Sequence, residues 1–313
     1  MRGEIIAVCT SDRKGERKTD RGRGMLVQNF GLAGDAHGGD WHRQVSLLAE
    51  ESIDKMRARG LALANGDFAE NLTTRGIIVH ELPVGTRLRI GQQALAEVTQ
   101  IGKECHTGCA IRQQTGDCVM PREGIFARVL RGGEVAAGDV IETANFFTVG
   151  VITLSDKGSR GERVDESGRV IEDLVRGAGG EPCAYSLLPD EPEQLKQELI
   201  RFADSLHLDV ILTTGGTGLT PRDQTPEATL AVIDREIPGM AEAMRAYSLT
   251  KTPRAMLSRA VAGARGKSLI VNLPGSPKAV RENLEVLLPV LPHAVETLRG
   301  VSGDCGPTSS SHR

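Results

Sequence analysis

The chain has 313 residues, with 38 Lys and Arg against 41 Asp and Glu and a formal net charge of −3; that length predicts two domains of about 150 residues. Residues 1–144 hold 19 basic and 19 acidic side chains and residues 145–313 hold 19 and 22, so neither half has the basic excess that nucleic-acid binding needs. There is no apolar run of the ~18 residues that span a membrane and no apolar core of a secretion signal, and the scattered Cys9, Cys105, Cys109, Cys118, Cys183 and Cys305 form neither a disulfide framework nor a zinc module, which points to a reducing cytoplasm.

Glu4–Cys9 reads as an opening strand. The segment Ser11–Gly24 follows, with Arg13, Lys14, Arg17, Lys18, Arg21 and Arg23 diluted by acids. Such a run reads as a solvated loop, with an anion-binding loop as the sharper option. Gly31–Gln44 packs His37, His42, Asp35, Asp40 and the single Trp41 between glycines, and either histidine is a ligand candidate or a structural loop residue. Val45–Leu48 looks like a strand and Ala49–Arg59 like a helix. From Leu82 to Glu142 short strands alternate with glycine turns, at 87–90, 94–99, 125–130 and 140–142, which predicts a small antiparallel barrel. Inside it, Cys105, His106, Cys109 and Cys118 fall within 14 residues, a spacing that fits no structural zinc module. A thiolate beside Lys103 and His106 suits a nucleophilic or sulfur-carrying role; buried, inert thiols are the alternative.

Gly31–Gln44, Gly66–Leu72, Cys105 after Lys103-Glu104, and Phe126–Asp139 resemble MOSC domains, over roughly residues 1–143. The resemblance implies a β-barrel that handles a molybdenum–pterin species, with Cys105 at the position of the cysteine proposed to carry sulfur. Cys109 and Cys118 are extra to that pattern.

Residues 144–148 form a short junction, after which strands and helices alternate. Thr148–Leu154 is a strand ending in Ser155-Asp156. Asp165–Arg176 is an amphipathic helix stopped by glycines, and Cys183–Leu188 a second strand ending in Pro189-Asp190. Pro192 opens a helix with Leu195, Leu199, Phe202 and Leu206 on one face. Val210–Thr214 is a buried strand followed by Gly215-Gly216-Thr217-Gly218, then Asp223, then Thr225 as N-cap with Pro226 as first helical residue. Strand, glycine turn and helix start make an anion site, and Asp223 adds a carboxylate suited to Mg²⁺ on a phosphate. Gly239–Thr250 is a helix whose methionines pack a core. Ser268–Leu273 is a fourth strand, ending in Pro274-Gly275-Ser276-Pro277 and a helix from Lys278. Leu291–Gly300 is a last helix and 302–313 a polar tail. This alternation predicts an α/β three-layer sandwich around a mostly parallel sheet, with ligands outside the carboxyl ends of its strands. Neither GxxxxGK[ST] nor GxGxxG is present. The expected domains are therefore a β-barrel over 1–144, an α/β domain over 145–301 and the tail.

Thr213–Ala228 and Leu273–Ala279, with Met256–Arg259 between them, resemble the molybdopterin adenylyltransferases of the MogA/MoaB type over about residues 146–300. The resemblance implies transfer of AMP from Mg-ATP to the terminal phosphate of molybdopterin, with pyrophosphate released. It places the two essential carboxylates, and with them Mg²⁺, on Asp190 and Asp223. Nucleotide and pterin contacts fall on Ser155, Asp156, Gly215, Gly216, Thr217, Gly218, Pro274, Gly275, Ser276 and Lys278. It also implies a trimer. Each of the hydroxyls reads equally well as a helix cap. Two competitors stand beside this reading: a nucleotide pyrophosphatase of the same architecture, which tends to carry consecutive aspartates where Arg222-Asp223 stands here, and a non-catalytic molybdopterin carrier or scaffold. Joining the halves suggests one cofactor pathway, in which the first domain binds, sulfurates or hands on a molybdenum form to other biosynthetic proteins or a molybdoenzyme.

Overall fold

A computed structural model describes residues 1–104 and 118–300. Cys105, His106 and Cys109, and the expected polar tail, lie outside the described residues. The chain divides into two compact units, one from Met1 to Asn145 and one from Phe146 onward. Among the described residues no helix is long and apolar enough to cross a membrane.

The first unit is built on β1 (Arg2–Thr10), β2 (Thr19–Asp20), β3 (Arg23–Val27), β4 (Gly31–Leu32), β5 (Val45–Ala49), β6 (Leu72–Arg75), β7 (Arg87–Ile90), β8 (Ala94–Ile101), β9 (Ile125–Arg131), β10 (Gly133–Ala136) and β11 (Val140–Thr143), with helices α1 (Glu50–Arg57) and α2 (Met120–Glu123). Seven strands run β11-β7-β8-β9-β5-β6-β1, and the pairing of β1 with β11 closes them into a barrel. Closure removes the sheet's open edges. Every joint is antiparallel except β5–β6, whose strands are parallel and connected through α1. The barrel is thus wider in its membership than the 82–142 meander: β1, β5 and β6 complete it. A bulge in β1 between Ile5 and Ala7 re-phases the strand, so Ile5 and Val8 both reach the interior.

The basic segment after β1 is not simply a solvated loop. Lys18 is buried, its Nζ 2.5 Å from Asp35 Oδ2, with side chains 1% and 0% exposed. Asp35 also accepts the N–H groups of Ser11 at 3.0 Å and His37 at 3.2 Å. Burial alone would raise Asp35, but hydrogen bonds from His37, Lys18 and Ser11 override it and hold the carboxyl well below the usual carboxylate range. The run also contributes β2 and β3, the latter pairing with β10 and β4 in a small second sheet.

The second unit has β12 (Phe147–Leu154), β13 (Gly180–Leu188), β14 (Val210–Thr214), β15 (Arg235–Glu236), β16 (Ala262–Arg265) and β17 (Ser268–Leu273). Its helices are α3 (Asp156–Ser159), α4 (Glu166–Gly177), α5 (Pro192–Ile200), α6 (Thr225–Leu230), α7 (Pro238–Leu249), α8 (Pro277–Leu287) and α9 (Leu291–Arg299). The sheet order is β13-β12-β14-β17-β16-β15, parallel through β17 and antiparallel at β16 and β15. Strand alternation divides the core in two. Val149, Val151, Val210 and Leu212 face a layer that includes Ile171 of α4, Met244 of α7, Leu284 of α8 and Val295 of α9. Ile152, Leu154 and Ile211 face Leu195, Leu199 and Ala228 of α5 and α6, together with Phe202. The α5 helix continues into a wider, π-type turn over Arg201–Ser205, which brings Phe202 into that layer. The result is a three-layer α/β sandwich with a mostly parallel sheet.

Candidate active site

All four parallel strands leave the sheet along the same edge, and their exit loops converge on a cavity of about 400 Å³. Ser155 and Gly158 follow β12, Asp190 follows β13, Gly216 and Asp223 follow β14, and Gly275 and Ser276 follow β17; all line this cavity. Asp190 and Asp223, 33 positions apart in the chain, therefore share one wall system. They are close enough that the Asp223 charge raises the Asp190 pKa.

Hydrogen bonds fix these loops from beneath. Thr214 Oγ1 donates to Pro274 O at 2.7 Å, Thr225 Oγ1 to Gly215 O at 2.9 Å, and Ser167 Oγ to Gly275 O at 2.9 Å. From β17, Asn272 Nδ2 donates to Thr213 of β14 and to Thr229 of α6. Gly215 and Gly216 have φ of 103° and 63°, values open to glycine and costly for a side chain. A Cβ at Gly216 would stand 2.3 Å from Thr225 Oγ1. Among the described residues, the N–H groups of Gly216, Thr217, Gly218, Gly275 and Ser276 have no hydrogen-bond acceptor. Unspent amides at the strand exits, those of Gly216, Gly275 and Ser276 in the lining of this cavity, suit an anion.

The carboxylates are held by backbone. Asp156 N–H donates to Asp190 Oδ2 at 3.0 Å, and Asp190 N–H returns a bond to Asp156 Oδ1 at 3.1 Å. Thr220 N–H donates to Asp223 Oδ2 at 2.8 Å. Burial pushes the Asp190 carboxyl up; the Asp156 N–H and Arg222 oppose this, while the Asp156 and Asp223 charges add to it. Arg222 spans three loops: Nη2 lies 2.8 and 3.0 Å from the Asp156 oxygens and Nη1 2.7 Å from Glu191 Oε1. That contact holds the half-buried Asp156 below its ordinary pKa.

The remaining candidates are placed less directly. Thr217, Gly218 and Pro274 line a neighbouring cavity of about 260 Å³, bounded by Met244, Leu257 and Asn283. Ser155 Oγ caps α3 by accepting Gly158 N–H at 3.0 Å, and Ser276 Oγ caps α8 through Ala279 N–H at 3.2 Å, so both hydroxyls serve as caps while lining the cavity. Lys278 lines neither cavity; its side chain is 87% exposed and 3.9 Å from Glu282. Thr225 is not the N-cap: Gln224 takes that position without a side-chain bond, because the Thr225 hydroxyl is spent on Gly215 O.

Two groups escaped the reading of residue types. Arg259, which the sequence marks only as part of a motif, donates from Nε to Gly218 O at 2.7 Å and also reaches Asp223 O and Glu227. It clamps both ends of the glycine loop. Asp165 caps α4 through Gly168 N–H and accepts the hydroxyls of Thr153 at 2.6 Å and Tyr185 at 2.8 Å on the cavity's far wall. An Asp two residues before a Ser-Gly is a cap signal, which conceals its place at a site.

In the barrel, Cys105, the candidate sulfur carrier, lies outside the described residues. Cys118 is buried, and burial with the nearby Glu70 and Asp20 charges pushes the Cys9 thiol up to about 12, which makes it inert. His37 Nδ1 stands 3.4 Å from Lys18 Nζ, and His42 Nε2 3.1 Å from Gln100 Oε1. Among the described residues no cluster of three or more His, Cys, Asp or Glu side chains could hold a metal.

Two family models match the chain: a probable molybdopterin binding domain over residues 150–293 and a MOSC domain over residues 33–142. The molybdopterin adenylyltransferase of Helicobacter pylori is 42% identical over 154 residues, which cover 49% of this chain and 88% of the relative. That of Escherichia coli is 43% identical over 143 residues, or 45% of this chain and 73% of the relative. Gephyrin of Dictyostelium discoideum is 46% identical over 159 residues, 48% of this chain, and this chain spans only 22% of its length. Among solved structures, the molybdopterin biosynthesis enzyme MoaB of Thermus thermophilus is 57% identical, with a TM-score of 0.48, covering 50% of this chain and 98% of that one.

Proposed function

We infer a molybdopterin-directed adenylyl transfer from one premise: the chain belongs to the molybdopterin-binding domain family over residues 150–293 and carries a MOSC domain over residues 33–142. Relatives 42–43% identical to the second half are named molybdopterin adenylyltransferases, and the chain is an enzyme of molybdenum cofactor biosynthesis. Its reaction joins AMP from Mg-ATP to the terminal phosphate of molybdopterin and releases pyrophosphate. The observation that carries this reading is the pairing of Asp190 with Asp223 in one cavity, beside glycine-loop amides without acceptors among the described residues.

The residues fit a divalent cation. Each carboxylate spends Oδ2 on a backbone N–H and keeps Oδ1 clear of hydrogen bonds among the described residues. Crowding of Asp156, Asp190 and Asp223 leaves negative charge that a cation offsets. Mg²⁺ held there supplies charge neutralisation on the phosphates and on the departing pyrophosphate. Two carboxylates rather than a full cage suit an ion that completes its shell with phosphate oxygens and water.

The chain's own work is positioning. Gly216, Thr217 and Gly218 hold phosphate through their N–H groups, with Gly215 forming the turn beneath. Gly275 and Ser276 add donors from the opposite loop, Pro274 shapes that turn, and Ser155 and Asp156 complete the rim. With one phosphate oxygen of the pterin aligned on the α-phosphorus, transfer needs no covalent enzyme intermediate. Lys278, exposed on α8, acts only on a substrate that extends beyond the cavity.

Incubation with molybdopterin and α-labelled Mg-ATP tests the reading. Label should move to the pterin, with pyrophosphate appearing only when pterin is present. Asp223→Asn should bind nucleotide or pterin yet lose turnover, and a variant as fast as wild type would reject the metal role. Pyrophosphate without pterin would instead indicate a pyrophosphatase, and no ATP consumption a carrier. The barrel's proposed part is to bind or sulfurate a molybdenum–pterin form, with Cys105 carrying sulfur; a persulfide on Cys105, detected by mass spectrometry, checks it. A trimer formed through the second half, and a cytoplasmic location, complete the proposal, the first open to analytical ultracentrifugation.

A further inference from the structure

We propose that Arg163 is the phosphate-binding cation of the strand-edge cavity, an assignment that rests on the adenylyl-transfer reading. Arg163 lies in the loop between α3 and α4 and is the sole basic side chain among the described residues lining the cavity. The acidic members of that lining are Asp165, Glu166, Asp190 and Asp223. Despite them, Arg163 is exposed and makes no ion pair or hydrogen bond with any described residue. The nearby arginines are spent: Arg160 pairs with Glu162 at 2.7 Å, and Arg222 with Asp156 and Glu191. Asp165, its close neighbour in sequence, already accepts from Thr153, Tyr185 and Gly168 and is not paired with Arg163.

A polyphosphate entering this cavity brings more negative charge than one divalent ion neutralises. The glycine-loop amides contribute only partial charges. A full positive charge on the wall, with a planar fork of donors still unspent, supplies what is missing and matches phosphate geometry. The phosphate in question is either the nucleotide's chain or the terminal group of the pterin.

Arg163→Ala and Arg163→Lys in the full chain separate the possibilities. Both should keep the wild-type melting temperature, since the side chain has no partner among the described residues. The alanine variant should raise one KM about tenfold or more with a smaller change in kcat, and lysine should recover part of the loss. A rise confined to ATP assigns the contact to the nucleotide, and a rise confined to molybdopterin assigns it to the pterin phosphate. Unchanged KM values in an active enzyme overturn the assignment. A titration with inorganic pyrophosphate and Mg²⁺ by calorimetry is independent of turnover. If the wild type transfers no AMP, the adenylyl-transfer reading falls, and this titration alone decides on Arg163. Weaker binding by the alanine variant then supports it, while equal binding, or none by the wild type, overturns it.

Discussion

Lys18→Met should destabilise the barrel by about 3 kcal/mol, near the lower end of the roughly 3–5 kcal/mol lost when one member of a buried ion pair is removed. The structure sets that end of the range. Asp35 is fully buried, yet it keeps the N–H donors of Ser11 and His37 after Lys18 is gone. Urea unfolding followed by tryptophan fluorescence reads this unit alone. Trp41 is the single tryptophan, and its Nε1 donates to His37 O at 3.0 Å, next to the altered pair. With a slope of about 1–3 kcal/mol per molar urea, the midpoint should fall by about 1 M or more. In the wild type the depressed Asp35 pKa contributes stability that is fully present above its ordinary value of 3.8 and lost as the pH falls through the folded value. Without Lys18 two of the influences that depress the Asp35 pKa are gone and it rises, so acidification should narrow the gap between variant and wild type. Adding Asp35→Asn should restore part of the loss, because the amide keeps an acceptor without a charge. A loss below about 1 kcal/mol for Lys18→Met would refute the buried-pair argument.

Three further changes probe the second unit. Arg259→Met releases Gly218 O and Asp223 O and should lower kcat/KM on the order of tenfold with little change in melting temperature; equal activity would remove Arg259 from the positioning scheme. Gly216→Ala forces a side chain onto a φ of 63° and against Thr225 Oγ1. About 1–2 kcal/mol of backbone strain is expected, with phosphate binding in a pyrophosphate titration lost more completely than stability. Gly150→Val places a Cβ 2.4 Å from the Phe202 ring and should cost about 1–3 kcal/mol or more in thermal unfolding, away from the cavity and so without a change in the KM for ATP.

The parallel strands were legible because Val-, Ile- and Leu-rich runs end in helix-start residues, and that phrasing survives in β12, β14 and β17. Ala262–Arg265 escaped because Ala-Gly-Ala-Arg carries no strand preference; it is a strand by pairing with β17. In the first half, reading charge as a run hid the fact that one of its lysines points inward, since a side chain's direction depends on a partner, Asp35, supplied by another loop. A barrel was expected from the short strands, but which strands close it was hidden, because β1 and β11 meet across nearly the whole unit. At the site, the motif-bearing exits of all four strands were readable. Their mutual distances and the clamping by Arg259 and Arg222 were not, being properties of which loops become neighbours.

Arg222 has a wider consequence. One guanidinium belongs to the loop after β14, yet its bonds end on the loops after β12 and β13. These three segments are therefore mechanically coupled, so a ligand that draws Asp156 aside also tugs on Glu191 and on the backbone beside Asp223. Grafting any single loop from a related chain would break this tie unless its acidic or basic counterpart came along. One side chain thus ties three loops of the rim, and redesign of any of them should carry the paired residues together.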